Sequence, residues 1–200
     1  MGLFDKVTDA LGSSDSSEEE EQEAVGGMFD APEGFYQDRV DLEKRSGIIH
    51  KHYDVTEEQA LIITRTLKEW MEDEEGGTID SIRNDLEGKL EISDELLHTI
   101  VWTERASINT LRRVNGYLED EDPDDVYKIQ ASIDDRTHLV THEAVKEIEQ
   151  RGGAVPMREL ASILLEKAEQ YEDEGGTPER MEHWVPHERF RFSITRHIEV

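Results

Sequence analysis

Apolar positions recur at two different periods along this chain, and the change from one to the other divides it. From Thr56 the period is helical. Ile63, Leu67, Trp70 and Met71 share one face of a segment opened by a capping box, Thr56 with Gln59, and closed by Gly76-Gly77. A second helix is predicted from Thr78 to Gly88 with Ile79, Ile82 and Leu86 inward, and a third and longest from its cap at Ser93 through Asn115, closed by Gly116. Loops this short join antiparallel helices, so a helical unit of about three helices is expected over residues 47–118. After the acidic turn Glu119 to Asp125, where Pro123 stops any helix, the period drops to two. Val126 to Ile133 alternates as a strand, and so does Phe190 to Ile198. Between them helices are predicted at Thr141 to Arg151, stopped by Gly152-Gly153, and at Pro156 to Tyr171, with Leu160, Ile163, Leu164 and Ala168 inward. Two or three antiparallel strands packed by helices over residues 119–200 complete an α+β fold.

The first 46 residues read differently. Leu3, Phe4, Val7 and Leu11 share a helical face within residues 2–11. The Ser/Glu/Asp run from Ser13 to Glu23 has too little apolar area to order itself, so a disordered acidic tail is expected there. Gly26-Gly27 and Pro32-Glu33-Gly34, with Phe29, Phe35 and Tyr36 scattered among them, read as an extended arm. A free helix shorter than about 12 residues is marginal in water, so the Leu3 face is expected to order on a partner protein. Asp5, Asp9 and the acidic run would be repelled by an anionic lipid surface, and no membrane partner is expected.

Charge places the protein in an environment. Against 22 basic residues stand 49 acidic ones, a formal charge of -27 on 200 residues. Such a surface repels itself in dilute buffer, whereas molar salt shortens the Debye length to about 3 Å and screens the repulsion. The composition reads as that of a halophile. With 0 cysteines there are no disulfides and no thiolate metal sites. No apolar run approaches the roughly 18 residues of a membrane span, and no signal peptide is recognisable. Lys/Arg-rich runs are absent as well, so sequence-specific nucleic-acid binding is not expected.

Three segments carry a resemblance. His183-Trp184-Val185-Pro186-His187 leads through a turn to Phe190-Arg191-Phe192 and the last strand; Asp134-Asp135-Arg136-Thr137 follows the first strand and precedes His138 and His142; and Thr103-Glu104 lies inside the longest helix. In this order, over roughly Gly47 to Val200, they resemble the Mu F-type minor head proteins (phage head morphogenesis family) of tailed viruses. Where that family has Cys-Arg-Cys after its Pro-His turn, this chain has Phe190-Arg191-Phe192, and His142 lies one residue later than the family spacing suggests. The resemblance implies a structural signature of Glu104, Asp134, Asp135, Arg136, Thr137, His142, Pro186, His187 and Arg191. It also implies a partner for Glu104. That carboxylate falls at the centre of the apolar face Leu97, Ile100, Val101, Ile108 and Leu111, where an unpaired charge is very costly. Either it is held by the Arg136 guanidinium, locking the two halves together, or it lies at the edge of the stripe and reaches water.

Chemistry is thinly signalled. There is no Gly-rich phosphate loop, no nucleophile elbow and no metalloprotease His-Glu pattern. The remaining constellation is His138, His142, His183 and His187. Histidines that hydrogen-bond and staple the loop to the last strand are expected, with no cofactor; one zinc ion held by the four imidazoles is the rival. Two non-enzymatic functions compete. One is a virion structural protein, a minor head protein of a halophilic archaeal tailed virus, assembled in the host cytoplasm and residing in the head interior or portal region. Its partners would be the portal and other viral head proteins, and it would assist head assembly, genome packaging or DNA delivery. The other is a regulatory or adaptor binding module that docks through its N-terminal peptide, Leu3, Phe4, Val7 and Leu11.

The charge reading has a direct test. The melting temperature is expected to climb steeply from dilute buffer to molar salt as screening relieves the self-repulsion. A melting curve insensitive to salt would contradict the halophile reading.

Overall fold

The computed structural model describes residues 42–72, 78–120 and 122–198. The expected docking helix over residues 2–11 and the acidic linker lie outside the described residues. Among the described residues, six α-helices and one two-stranded sheet make up the architecture, an α+β fold. The helices are α1 (Leu42–His52), α2 (Glu57–Glu72), α3 (Ile79–Leu86), α4 (Asp94–Glu119), α5 (Leu139–Gln150) and α6 (Met157–Gln170); the strands are β1 (Val126–Ala131) and β2 (Phe192–His197). Among the described residues no helix is long and apolar enough to cross a membrane.

Local signals account for most boundaries. In the Thr56 capping box the Gln59 side chain accepts from the Thr56 N–H at 2.8 Å while the Thr56 hydroxyl accepts from the Gln59 N–H at 3.2 Å. Thr78 and Ser93 cap α3 and α4 by accepting from Ser81 and Leu96. Two expected features give way. Leu42–His52 is helical, so the first unit has four helices and the folded body begins by Leu42 rather than at residue 47. Its sequence hides this: Gly47 interrupts it, and only Arg45 and Ile49 are buried. Gly116, expected to close the third helix, lies inside α4. The helix continues because Tyr117 and Leu118 still find apolar partners, with the Tyr117 ring 5.4 Å from that of Tyr127. That packing outweighs the roughly 0.5–1 kcal/mol a mid-helix glycine costs.

Two apolar cores are strung on α4. Leu97, Ile100, Val101 and Ile108 pack with residues of α1, α2 and α3, whereas Leu111 and Val114 pack with the sheet, α5 and α6. β1 and β2 pair antiparallel, Val126 opposite His197 and Ala131 opposite Phe192. The alternation aims Tyr127, Ile129, Phe192 and Ile194 at the second core. On its other edge β1 is closed by Val155, whose N–H and C=O both bond to Tyr127.

Between α6 and β2 the chain makes a 3-10 turn over Pro178–His183 and then the Pro186-His187 turn. Gly176 seats this segment under the end of α6. A Cβ there would lie 2.1 Å from the Ala168 carbonyl oxygen, so only glycine fits. Thr177 then ties the two sides of the loop, its N–H donating to Pro186 O at 2.9 Å and its hydroxyl to Val185 O at 2.7 Å.

Candidate functional site

The polar groups of the interior gather where the two cores meet. Glu104 is fully buried (0% exposed), and neither expected environment is found: it reaches no water, and Arg136 is not its partner. Arg45 of α1 (2% exposed) donates to Oε2 at 2.6 Å, and Arg180 of the 3-10 turn (1% exposed) donates to Oε1 at 2.5 Å. Arg45 also donates to the Ser107 hydroxyl at 3.1 Å, which donates on to His183 O at 2.7 Å; Arg180 also donates to the Tyr53 hydroxyl at 2.9 Å. Burial alone would push the Glu104 carboxyl up, but the two guanidiniums outweigh it and hold the carboxyl well below the usual carboxylate range. Burial, then the negative Glu104, pushes the Tyr53 hydroxyl up, out of reach of ordinary pH. Burial and the nearby Arg45 hold His183 down to about 3.

Arg136 lies on the surface, its side chain 71% exposed, and pairs with Asp134 at 3.0 Å. The Asp134-Asp135-Arg136-Thr137 segment instead builds a turn. Asp134 Oδ1 accepts from the Arg136 N–H at 2.9 Å, and the Thr137 hydroxyl accepts from the Asp134 N–H at 2.8 Å and donates to Ser132 O at 3.3 Å. Asp135 is exposed. The turn delivers His138 to the N-cap of α5, where Nδ1 accepts from the Val140 N–H at 3.2 Å and Nε2 donates to Glu174 O at 2.9 Å.

His138 stacks on His187, ring centroids 4.2 Å apart and planes 10° apart. Because a carbonyl only accepts, His187 Nδ1 must donate to Glu188 O at 2.8 Å. Nε2 then accepts from the Thr141 hydroxyl at 2.7 Å. Both ring nitrogens are used in the neutral form. Burial, then the His138 ring, lowers the His187 pKa to about 3. His142 is exposed and pairs with Glu143, and His183 belongs to the Glu104 cluster. The four histidines expected as rivals for one zinc are therefore not brought together, and among the described residues no group of three or more His, Asp or Glu could hold a metal ion.

The turn after Pro186 is fixed by backbone strain as well as contacts. Trp184 (φ 55°) and Arg189 (φ 51°) both take the left-handed conformation, which a bulky residue adopts only when its surroundings enforce it. Trp184 is fully buried. The Arg189 N–H donates to the Thr103 hydroxyl at 3.0 Å and its guanidinium bonds to Thr99 at 2.8 Å. Trp102 Nε1 donates to Phe190 O at 3.3 Å, and the exposed Arg191 guanidinium lies 5.2 Å from the Trp102 ring centroid. Sequence reasoning missed Arg45 and Arg180 as partners of Glu104. Each stands alone among polar neighbours, and only the tertiary fold reveals its burial.

Set against known proteins, the chain matches no family model, no curated protein and no solved structure.

Two expectations follow from the buried groups. Glu104→Ala leaves two guanidiniums buried without their carboxylate and should cost roughly 3–5 kcal/mol, whereas Arg136→Ala should change little. Replacing all three of Glu104, Arg45 and Arg180 by Leu and Met should recover most of that loss. Urea unfolding in molar salt measures all of these variants, and additive effects of Glu104→Ala and Arg180→Ala would refute the pairing.

The histidines give a pH dependence whose sign is fixed. Their folded pKa values, about 3 for His183 and His187, lie below the ordinary 6.5. The unfolded chain therefore binds protons that the folded chain refuses. Stability is full above about pH 6.5 and falls as the pH drops toward 3, by up to about 1.4 kcal/mol per pH unit for each histidine. His187→Gln should flatten the decline between pH 6.5 and 5, and a stability constant across that window would show that the imidazoles are not held neutral.

Proposed function

We propose that this chain is a non-enzymatic minor head protein of a tailed virus of a halophilic archaeon. It sits near the portal and assists head assembly, genome packaging or DNA delivery. The observation that carries the reading is where residues of the three resembling segments fall. Thr103 and Glu104 of α4 face the segment that contains Pro186 and His187, through the Arg189 N–H and the Arg180 guanidinium, and His187 is seated on Thr141 behind the Asp-Asp-Arg-Thr turn. Thr103, Glu104 and His187 of the resembling segments thus take part in the bracing of the last turn, while Asp135, Arg136, His142 and Arg191 are exposed. Glu104 is occupied by Arg45 and Arg180, Asp134 by Arg136, and His187 by Thr141 and the Glu188 carbonyl, which favours scaffolding over chemistry.

In this reading the body is a rigid platform and the N-terminal peptide with Leu3, Phe4, Val7 and Leu11 is the docking element, received by the portal or a neighbouring head protein. The acidic surface suits a particle assembled in molar salt.

Quantitative mass spectrometry of purified particles is the test. The full chain should be found at low copy number in heads, and deletion of Met1 to Gly12 should leave the body folded yet abolish incorporation. Truncated protein in particles at normal abundance would overturn the docking role. Absence of the full chain from particles would overturn the head-protein reading and favour the adaptor.

A further inference from the structure

A cleft of about 270 Å³ opens between α4, β2 and the start of α3. Its floor is apolar, formed by Phe190, Phe192 and Ile194, and Trp102 makes one wall. Arg105 and Arg113 of α4 line the same cleft, and Arg191 lies over the Trp102 ring. Cations are scarce in this chain, 22 against 49 acidic residues. Arg45, Arg83, Arg136, Arg151, Arg180 and Arg196 each pair with a carboxylate. Among the described residues, Arg65, Arg105, Arg112, Arg113 and Arg191 make no ion pair, and three of these five gather at the cleft. Guanidiniums without carboxylates around an apolar floor, in so acidic a molecule, ask for an occupant that is both acidic and aromatic.

The chain itself contains one. Met28-Phe29-Asp30-Ala31-Pro32-Glu33-Gly34-Phe35-Tyr36 interleaves three aromatic side chains with two carboxylates and precedes α1. We infer that this segment is the occupant of the α4/β2 cleft, its aromatic side chains on the apolar floor and its carboxylates against Arg105 and Arg113. Reach permits it. From Tyr36 to Leu42 the chain spans up to about 20 Å. Arg45, within the first turn of α1, already touches Glu104 and Ser107 of the helix whose other side lines the cleft. Crossing that helix takes about 10–12 Å. Tethering supplies a high local concentration that a free ligand lacks, so contacts individually weak at a wet surface suffice. The inference does not depend on the head-protein reading.

The full chain carrying a photo-cross-linker at the exposed cleft residue Asn109 (Asn109→p-benzoylphenylalanine) tests this directly. Peptide mapping of the monomer band should place the cross-links in Met28 to Tyr36. The double change Arg105→Glu and Arg113→Glu should cut their yield several-fold while circular dichroism stays unchanged; Arg105→Gln with Arg113→Gln serves if charge reversal unfolds the protein. Links confined to another segment or a second chain, or a yield indifferent to both double variants, would overturn the assignment.

Discussion

A carboxylate placed at the centre of an apolar helix face constrains everything around it. Glu104 has two oxygens and no access to water, and an ion so placed costs several kcal/mol until it is paired and hydrogen-bonded. Arg45 reaches only Oε2, which leaves Oε1 for a second donor. Two guanidiniums satisfy both oxygens, and they come from elements far apart in sequence, α1 and the 3-10 turn before the Pro-His turn. The arrangement leaves a surplus positive charge indoors, so a further cation there would be repelled, in keeping with a neutral His183 beside Arg45. Ions buried this way often contribute less to stability than apolar residues of the same volume would. Their contribution here is to position: α1 can sit against α4 only where Arg45 meets both Glu104 and Ser107.

The sequence made the regular elements legible wherever a local signal and a long period coincided. The Thr56 capping box, the Thr78 and Ser93 caps, and the alternation of Val126 to Ala131 against Phe192 to His197 all appear in the fold. What stayed hidden was decided by partners distant in sequence. Leu42–His52 has a glycine in its middle and too few apolar residues to show a period, and it is helical because Arg45 and Ile49 are buried against other helices. Gly116 carries the usual mark of a helix end, overruled by Tyr117 and Leu118 packing one turn further on.

The candidate site shows the same division. The oddity of Glu104 on an apolar stripe was visible, whereas of the four histidines expected to staple the loop only His138 and His187 meet, His142 being exposed and His183 lying beside the Glu104 cluster. The partners of Glu104 were not visible, because Arg45 and Arg180 look like surface cations in one dimension. The Asp134 to Thr137 segment was noticed for the right position and the wrong interaction. Its side chains bond to the backbone of their own turn, and the residue that reaches across the structure is the next one, His138, lying flat on His187.

Threading both cores on α4 also bears on how the protein is made. As the chain emerges during synthesis, α1 to α4 can assemble the first core while the second is still missing its closing strand. Glu104 then has only Arg45 for company, because Arg180 belongs to a later turn. The first half is left with Glu104 short of one of its donors and of the cover that Arg180 and His183 provide until the ribosome has delivered the Pro178–His183 turn. Late arrival of Arg180 makes the partial chain a poor resting state, and completion of the second half is what turns a loose helical cluster into a finished molecule.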